Sequence, residues 1–229
     1  MRAIILAAGM GTRLRPLTDN TPKSLVKVCG EPMAERQIRF LKEKGIDNII
    51  VVTGYLSDKF EYLREKYGVK LVHNDKYNLY NNVYTMYLIR DYLEDAYVTE
   101  ADVYMVNNYF DENINSSAYF TGVKENFEKE WKVIFDGERV VNLKVEGGTG
   151  YIMSGISFWN KEDGIKIKKR LEEVVESENF KDVYWDDVVS PMLKEMSVTA
   201  KKIKTDDWFE IDSVEDLNNA EEYLRNKNI

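Results

Sequence analysis

The chain has one cysteine, Cys29, and one histidine, His73, among 229 residues. A lone cysteine excludes an intramolecular disulfide and a cysteine-rich zinc site. A lone histidine leaves too few ligands for a HExxH-type zinc enzyme. A basic surplus is also missing: 32 Lys and Arg stand against 40 Asp and Glu, a formal net charge of −8. That balance argues against a nucleic-acid module, which needs cations to meet phosphates. No apolar run approaches the ~20 residues of a membrane span. The opening Met-Arg-Ala-Ile-Ile-Leu-Ala-Ala-Gly runs straight into a glycine loop, which suits a core strand better than a signal peptide. The expectation is a cytoplasmic protein with no membrane or nucleic-acid partner. At 44% hydrophobic and 31% charged residues the chain has the composition of a folded domain, and its length allows roughly 70% of the unfolded surface to be buried without a disulfide or structural metal.

Along the first half, short apolar runs alternate with helical patterns. Residues 3–8 and 48–53 read as buried parallel strands, 69–73 as a third strand, and a fourth begins at 96–99. Pro32 opens a helix over 33–44, whose apolar stripe is interrupted by Gln37 and which Gly45 ends. Ser57 is expected to cap a helix through Tyr67, and another helix covers about 83–93. In the second half, residues 131–135 and 139–145 flank Asp136-Gly137, a hairpin signal. A strand at 151–159, helices near 162–177 and 185–195, and a strand at 198–203 follow. Ser213 with Asp216 three residues on has the spacing of a capping box. The pattern predicts an α/β fold of one domain, residues 1–229, with a mostly parallel mixed sheet. Its core would be 1–125 and 196–229, and a small β-rich insert would span about 126–195.

Gly9-Met10-Gly11-Thr12-Arg13-Leu14 follows the first strand. A Rossmann fingerprint needs a small residue where Leu14 stands, and a Walker A loop needs a Gly-Lys-Ser/Thr that is absent. What remains is a loop whose successive N–H groups can meet a phosphate, with Arg13, Arg15 and Lys23 near it in sequence.

The longer string, Leu6-Ala7-Ala8-Gly9-Met10-Gly11-Thr12-Arg13-Leu14-Arg15-Pro16-Leu17-Thr18 followed by Thr21-Pro22-Lys23-Ser24-Leu25, closely resembles the signature of the sugar-phosphate nucleotidyltransferase superfamily. Over nearly its whole length the chain resembles the short bacterial CTP:phosphocholine cytidylyltransferases. The matching stretches include Asn74-Asp75-Lys76-Tyr77 with Tyr80-Asn81-Asn82, Glu130-Trp131, Tyr184-Trp185-Asp186 and Glu210-Ile211-Asp212-Ser213. The resemblance implies a Rossmann-like nucleotidyltransferase core and transfer of a cytidylyl group from CTP to phosphocholine. It implies nucleotide contacts by Leu6, Ala8, Gly9, Gly11, Thr12, Arg13, Lys23, Tyr80 and Ala101, with Arg13, Lys23 and Asp102 as catalytic residues. It also implies a monomer or weak dimer.

Two anions must approach one another in such a transfer, which calls for a divalent cation, here Mg²⁺, and fixed positive groups. Asp102 follows a predicted strand at the carboxyl edge of the sheet, where open α/β folds bind ligands. The resemblance makes Asp102 and Asp212 the metal ligands and leaves Glu100, one methylene longer than the superfamily's first acid, without a settled role. Asp212 precedes a helix, but Ser213 already suits the cap. A trimethylammonium group donates no hydrogen bonds and so needs aromatic faces and a carboxylate. Candidate aromatic residues are Trp131, Tyr151, Phe158, Trp159, Tyr184 and Trp185, each more readily read as core except Trp131. The acceptor site is expected to use Trp131, Tyr184, Asp186 and Asp187. Phosphoethanolamine, 2-aminoethylphosphonate and a sugar 1-phosphate stay open as acceptors, and a catalytically silent nucleotide-binding protein is the rival from another class.

Overall fold

The computed structural model describes residues 1–177 and 179–229; residue 178, within the expected 126–195 insert, lies outside them. In chain order its elements are β1 (Arg2–Ala7), β2 (Lys27–Val28), β3 (Glu31–Pro32), α1 (Met33–Glu43), β4 (Ile49–Thr53), α2 (Tyr62–Tyr67), β5 (Lys70–His73) and α3 (Asn82–Leu88). They continue with β6 (Ala96–Glu100), β7 (Val103–Met105), β8 (Ala118–Asp136), β9 (Arg139–Trp159), α4 (Lys161–Glu176), α5 (Trp185–Val189), β10 (Thr199–Lys202), β11 (Trp208–Glu210) and α6 (Val214–Lys227).

Seven strands form one mixed sheet in the order β10-β8-β9-β6-β1-β4-β5. β1 lies parallel to both β4 and β6, and β9 runs antiparallel between β6 and β8. Alternation along β1 explains the layering. Ala3, Ile5 and Ala7 pack on one face with Ile38 and Leu41 of α1, while Ile4 packs on the other with Val83 and Met86 of α3 and Ile167 of α4. A strand buried on both faces needs the unbroken apolar run that the sequence has. The helices therefore cover both sides of the sheet, as the α/β expectation required. A third apolar cluster joins Leu14, Val28, Met33, Tyr104 and Ile211 to Ala220 and Leu224 of α6. It seats the loop after β1 and one face of α6 against the small β7–β11 sheet.

Several expected elements change length. Residues 57–67 divide into a 3-10 turn, Ser57–Phe60, and α2; Leu56, in left-handed backbone, precedes the turn, and the Ser57 side chain caps nothing. The helices expected over 83–93 and 185–195 both finish as 3-10 turns, Arg90–Tyr92 and Ser190–Lys194. The largest difference is the hairpin. The strands expected at 139–145 and 151–159 are one 21-residue strand, β9, whose partner β8 has 19 residues. The boundary expected near residue 126 thus falls inside a strand that belongs to the main sheet at one end and to a projecting ribbon at the other.

Candidate active site

Ala7 ends β1 and Glu100 ends β6 at the carboxyl edge of the sheet, and the loop after β1 turns there. Gly11 has φ +59°, and a Cβ on it would come within 2.7 Å of Lys23 Cβ. Both the backbone and the close approach of Lys23 therefore require glycine. The Gly11 carbonyl accepts from Thr18 Oγ1 at 2.8 Å and from Leu14 N–H at 3.0 Å, and the Tyr55 hydroxyl donates to the Thr18 carbonyl at 3.0 Å. Leu14, the residue that excludes a Rossmann fingerprint, is 0% exposed and anchors the loop in the third apolar cluster.

Lys23 is reached from Pro22 and lies on a 3-10 turn. Its Nζ donates to Asp102 Oδ2 at 2.6 Å and to Asp212 Oδ1, and Arg13 pairs with Asp212 Oδ2 at 2.8 Å. Burial disfavours the Lys23 ammonium, but Asp102 and Asp212 outweigh burial and hold it protonated well above the usual lysine range. Asp212 is free for this because Ser213 and Asp216 form the capping box of α6: Ser213 Oγ accepts from Asp216 N–H at 3.1 Å, and Asp216 Oδ2 accepts from Ser213 N–H at 2.7 Å.

Glu210 joins these acids. One carboxylate oxygen each from Asp102, Glu210 and Asp212 lies within 4.8 Å of the others. Burial, then Asp102 and Asp212, push the Glu210 carboxyl up to about 8, against the opposing charge of Lys23. Glu100 is raised well above the usual range by burial, with Asp102 and Glu210 adding to it. Glu210 was not expected at the site; the signal that could have found it is its place at the end of β11, two residues before Asp212.

A cavity of about 290 Å³ opens beside this cluster. Of the expected residues, Leu6, Ala8, Gly9, Gly11, Thr12, Arg13, Lys23, Ala101, Asp102 and Asp212 line it, and the structure thereby brings the two ends of the chain together. Ser24, Asn82, Thr85 and Glu100 also line it without having been expected to. Tyr80 is not on the wall: its ring packs 4.7 Å from Phe180 and 5.3 Å from Tyr84. Asn82 and Thr85, further along the same segment, are on the wall.

The expected acceptor residues are more dispersed. Phe158, Trp159 and Trp185 are buried core, with Trp159 and Trp185 edge to face at 5.8 Å. Tyr151 packs on Phe135 at 5.1 Å. Trp131 is half-buried against the second core cluster, while the preceding Glu130 turns toward Arg13 and Asp212, its carboxyl raised first by burial and then by Asp212. Tyr184 is 47% exposed. Asp186 is buried; burial pushes its carboxyl up to about 7, although Tyr119 donates its hydroxyl proton to Oδ1 at 3.0 Å. Asp187 Oδ2 accepts from Tyr184 N–H at 2.9 Å, which ties it to the start of α5. Asn82 links the two halves, since its Oδ1 accepts from Trp185 N–H at 2.9 Å.

A glycine loop, a lysine and an acidic cluster meeting at this sheet edge define a nucleotide-binding enzyme that works on phosphates. The chain belongs to the nucleotidyl transferase family, whose pattern matches residues 2–227. It is 46% identical to the choline-phosphate cytidylyltransferase of Streptococcus pneumoniae over 229 residues, covering 100% of both chains. It is 37% identical to the choline-phosphate cytidylyltransferase of Haemophilus influenzae, with 94% of each chain covered, and 33% identical to the 2-aminoethylphosphonate cytidylyltransferase of Lancefieldella rimae, with 94% and 89% covered. The solved structure of the CTP:phosphocholine cytidylyltransferase from Streptococcus pneumoniae superposes with a TM-score of 0.95, covering 97% of this chain and 98% of that one.

Proposed function

We propose that the chain is a cytidylyltransferase that joins CTP and phosphocholine to give CDP-choline and pyrophosphate. The observation that carries this reading is the meeting of Lys23 with Asp102 and Asp212 beside the glycine loop, in a chain 46% identical over its full length to a choline-phosphate cytidylyltransferase.

The acids suit a divalent cation. Asp102 Oδ1 is buried with no hydrogen-bond partner, and Asp102, Glu210 and Asp212 offer the hard oxygen ligands that Mg²⁺ prefers. Asp102 and Asp212 would hold the ion with Glu210, and when bound it supplies charge neutralisation at the phosphates. The chain's own groups do the rest. Lys23 and Arg13 neutralise the acids in the ligand-free protein and turn to the triphosphate when substrate and cation arrive. The backbone N–H groups of Gly9, Gly11 and Thr12 face the phosphates, and Leu6, Ala8, Ala101, Asn82 and Thr85 enclose the nucleoside. A phosphocholine oxygen attacks the α-phosphorus of CTP; the new P–O bond forms as the α–β bridge breaks and pyrophosphate leaves with the electron pair. Lys23 stabilises the charge on the phosphoryl oxygens. No enzyme nucleophile is needed, because the acceptor phosphate is itself the nucleophile.

Trp131 and Tyr184 offer aromatic faces to the trimethylammonium, with Asp186 behind them. Residues 126–195 form the acceptor side and the remainder the nucleotide side of one unit. The enzyme acts in the cytoplasm as a monomer or weak dimer. Among the described residues no helix is long and apolar enough to cross a membrane. The test is pyrophosphate release from ATP, CTP, GTP and UTP crossed with phosphocholine, phosphoethanolamine, 2-aminoethylphosphonate and glucose 1-phosphate, with Mg²⁺. Release is expected chiefly from CTP with phosphocholine. Preference for glucose 1-phosphate, or no release from any pair, would overturn the reading.

A further inference from the structure

Gln37 occupies an apolar position. On α1 it shares the buried side with Met33, Ala34, Ile38 and Leu41, and like them it is 0% exposed. A buried amide is costly unless every polar atom is satisfied, and here a leucine or methionine would suit packing better. Its hydrogen bonds account for its presence. Nε2 donates to the Glu100 carbonyl at 2.8 Å and to the Val103 carbonyl at 2.8 Å, and Oε1 accepts from Thr99 Oγ1 at 2.8 Å. Both amide hydrogens are used, one on each side of the turn that carries Asp102.

We infer that Gln37 is a positioning residue that sets the direction of the Asp102 carboxylate by clamping the backbone carbonyls on both sides of its turn. The Asp102 side chain is held directly at one oxygen, Oδ2, which accepts from Lys23 Nζ at 2.6 Å, while Oδ1 has no hydrogen-bond partner, so the backbone carries the rest of its positioning. Two further backbone tethers of the turn are Ala101 N–H to the Leu6 carbonyl at 3.2 Å and Ile211 N–H to the Asp102 carbonyl at 3.0 Å. These hold the turn between β1 and β11 but leave the carbonyls of Glu100 and Val103 to Gln37. A ligand must be held within roughly 0.5 Å and 10–20° of its working geometry, which a turn with two orphaned carbonyls does not achieve.

The inference rests on Asp102 as a metal ligand, and the experiment separates the two. Mn²⁺ binding is measured by electron paramagnetic resonance of free Mn²⁺, with the full chain and a non-hydrolysable CTP analogue present, for the parent and for Gln37→Met, Gln37→Leu, Ile38→Val and Asp102→Asn. Gln37→Met, near in shape but without hydrogen bonds, is expected to weaken Mn²⁺ by about 10–100-fold, the range for losing a partner that orients a metal ligand. Ile38→Val, a packing loss on the same helix, should bind as the parent does. In steady state at saturating metal, the KM for CTP of Gln37→Met should stay near the parent value. If Gln37→Met does not fold by circular dichroism, Gln37→Leu decides, since it too removes both Nε2 bonds while keeping an apolar side chain on the buried side of α1: weakened Mn²⁺ binding supports the clamp and parent binding overturns it. If Asp102→Asn loses Mn²⁺ while folded Gln37→Met retains it, the clamp alone is overturned. If Asp102→Asn binds as the parent does, the metal reading and the clamp fall together.

Discussion

The loop over residues 6–25 and the ribbon of β8 and β9 both reach the acidic cluster, and they are built differently. The loop is short and over-determined: Gly11, Thr18 and Tyr55 are linked by hydrogen bonds, and Leu14 is sunk in the core. The ribbon is long, with register shifts near Phe127 and Glu130, and outward residues such as Val141 and Val145 are 40% exposed. Its charged members pair on the surface, as Lys132 does with Glu146 at 3.1 Å, where ion pairs contribute little. A rigid loop suits the part of the reaction that does not vary, the triphosphate. A ribbon with spare surface suits the part that can vary, the acceptor. The relatives fit this division, since the pneumococcal and Lancefieldella proteins both carry the name cytidylyltransferase but are named for different acceptors.

Substitutions on the two sides should therefore break the reaction in different ways. The largest effect is expected from Asp102→Asn, which keeps shape but removes charge from the acidic cluster. Turnover measured by pyrophosphate release should fall beyond the roughly 10²–10³ that follows loss of a single charge-stabilising donor. Near-normal turnover at saturating Mg²⁺ would remove Asp102 from its role. Lys23→Ala should cost roughly 10²–10³, lowering kcat and kcat/KM together. A rise in the KM for CTP alone would make Lys23 a binding residue only.

Trp131→Ala is expected to act on one substrate. The KM for phosphocholine should rise from a few-fold to about tenfold or more, consistent with a cation–π contribution of roughly 0.5–2 kcal/mol plus lost contact, while the KM for CTP stays level. Equal effects on both substrates would erase the division between loop and ribbon.

The smallest effect is on stability and concerns Asp186. Its folded carboxyl titrates near 7, above the ordinary value of 3.8, so between these values the folded state binds the extra proton. Stability contributed at this position is present below about pH 4 and is lost as pH rises toward 7. Asp186→Asn, which can still accept from Tyr119, should flatten that decline by at least ~1 kcal/mol in urea titrations at pH 4.5 and 7.5. An unchanged slope would show that Asp186 does not titrate in this window.

The loop was readable in the sequence because its determinants are contiguous: an apolar strand, a glycine, Gly11, that admits Lys23, and a proline just before that lysine. The meeting of Asp102 and Asp212 was legible only through the family resemblance, because the two stand in a turn after β6 and just after β11, far apart in sequence, although the capping box of Ser213 and Asp216 was plain from its spacing. The ribbon was not readable in the same way. Gly147-Gly148-Thr149-Gly150 reads as a break between strands, yet pairing runs on through Gly148 with Phe127 and Gly150 with Lys124 because bulges take up the mismatch. The start of α2 escaped because residues 57–60 form a 3-10 turn entered through Leu56 at φ +50°, so the α-helix begins only after Glu61. Tyr80 and Asp187 show a related ambiguity. An aromatic residue or an acid beside a helix start can serve the site or the local structure, and only the three-dimensional partners, Phe180 for one and Tyr184 N–H for the other, distinguish these roles.

The division between a fixed nucleotide side and a selective acceptor side is tested most directly by competition. Purified protein would receive CTP and Mg²⁺ with an equimolar mixture of phosphocholine, phosphoethanolamine and 2-aminoethylphosphonate, and the cytidylyl products would be separated and identified by mass. The account predicts CDP-choline as the dominant product of the parent and a more even mixture from Trp131→Ala. A parent that makes chiefly the ethanolamine or aminoethylphosphonate product would contradict the phosphocholine assignment, and a Trp131→Ala product mixture identical to the parent's would contradict the placement of selectivity on the ribbon.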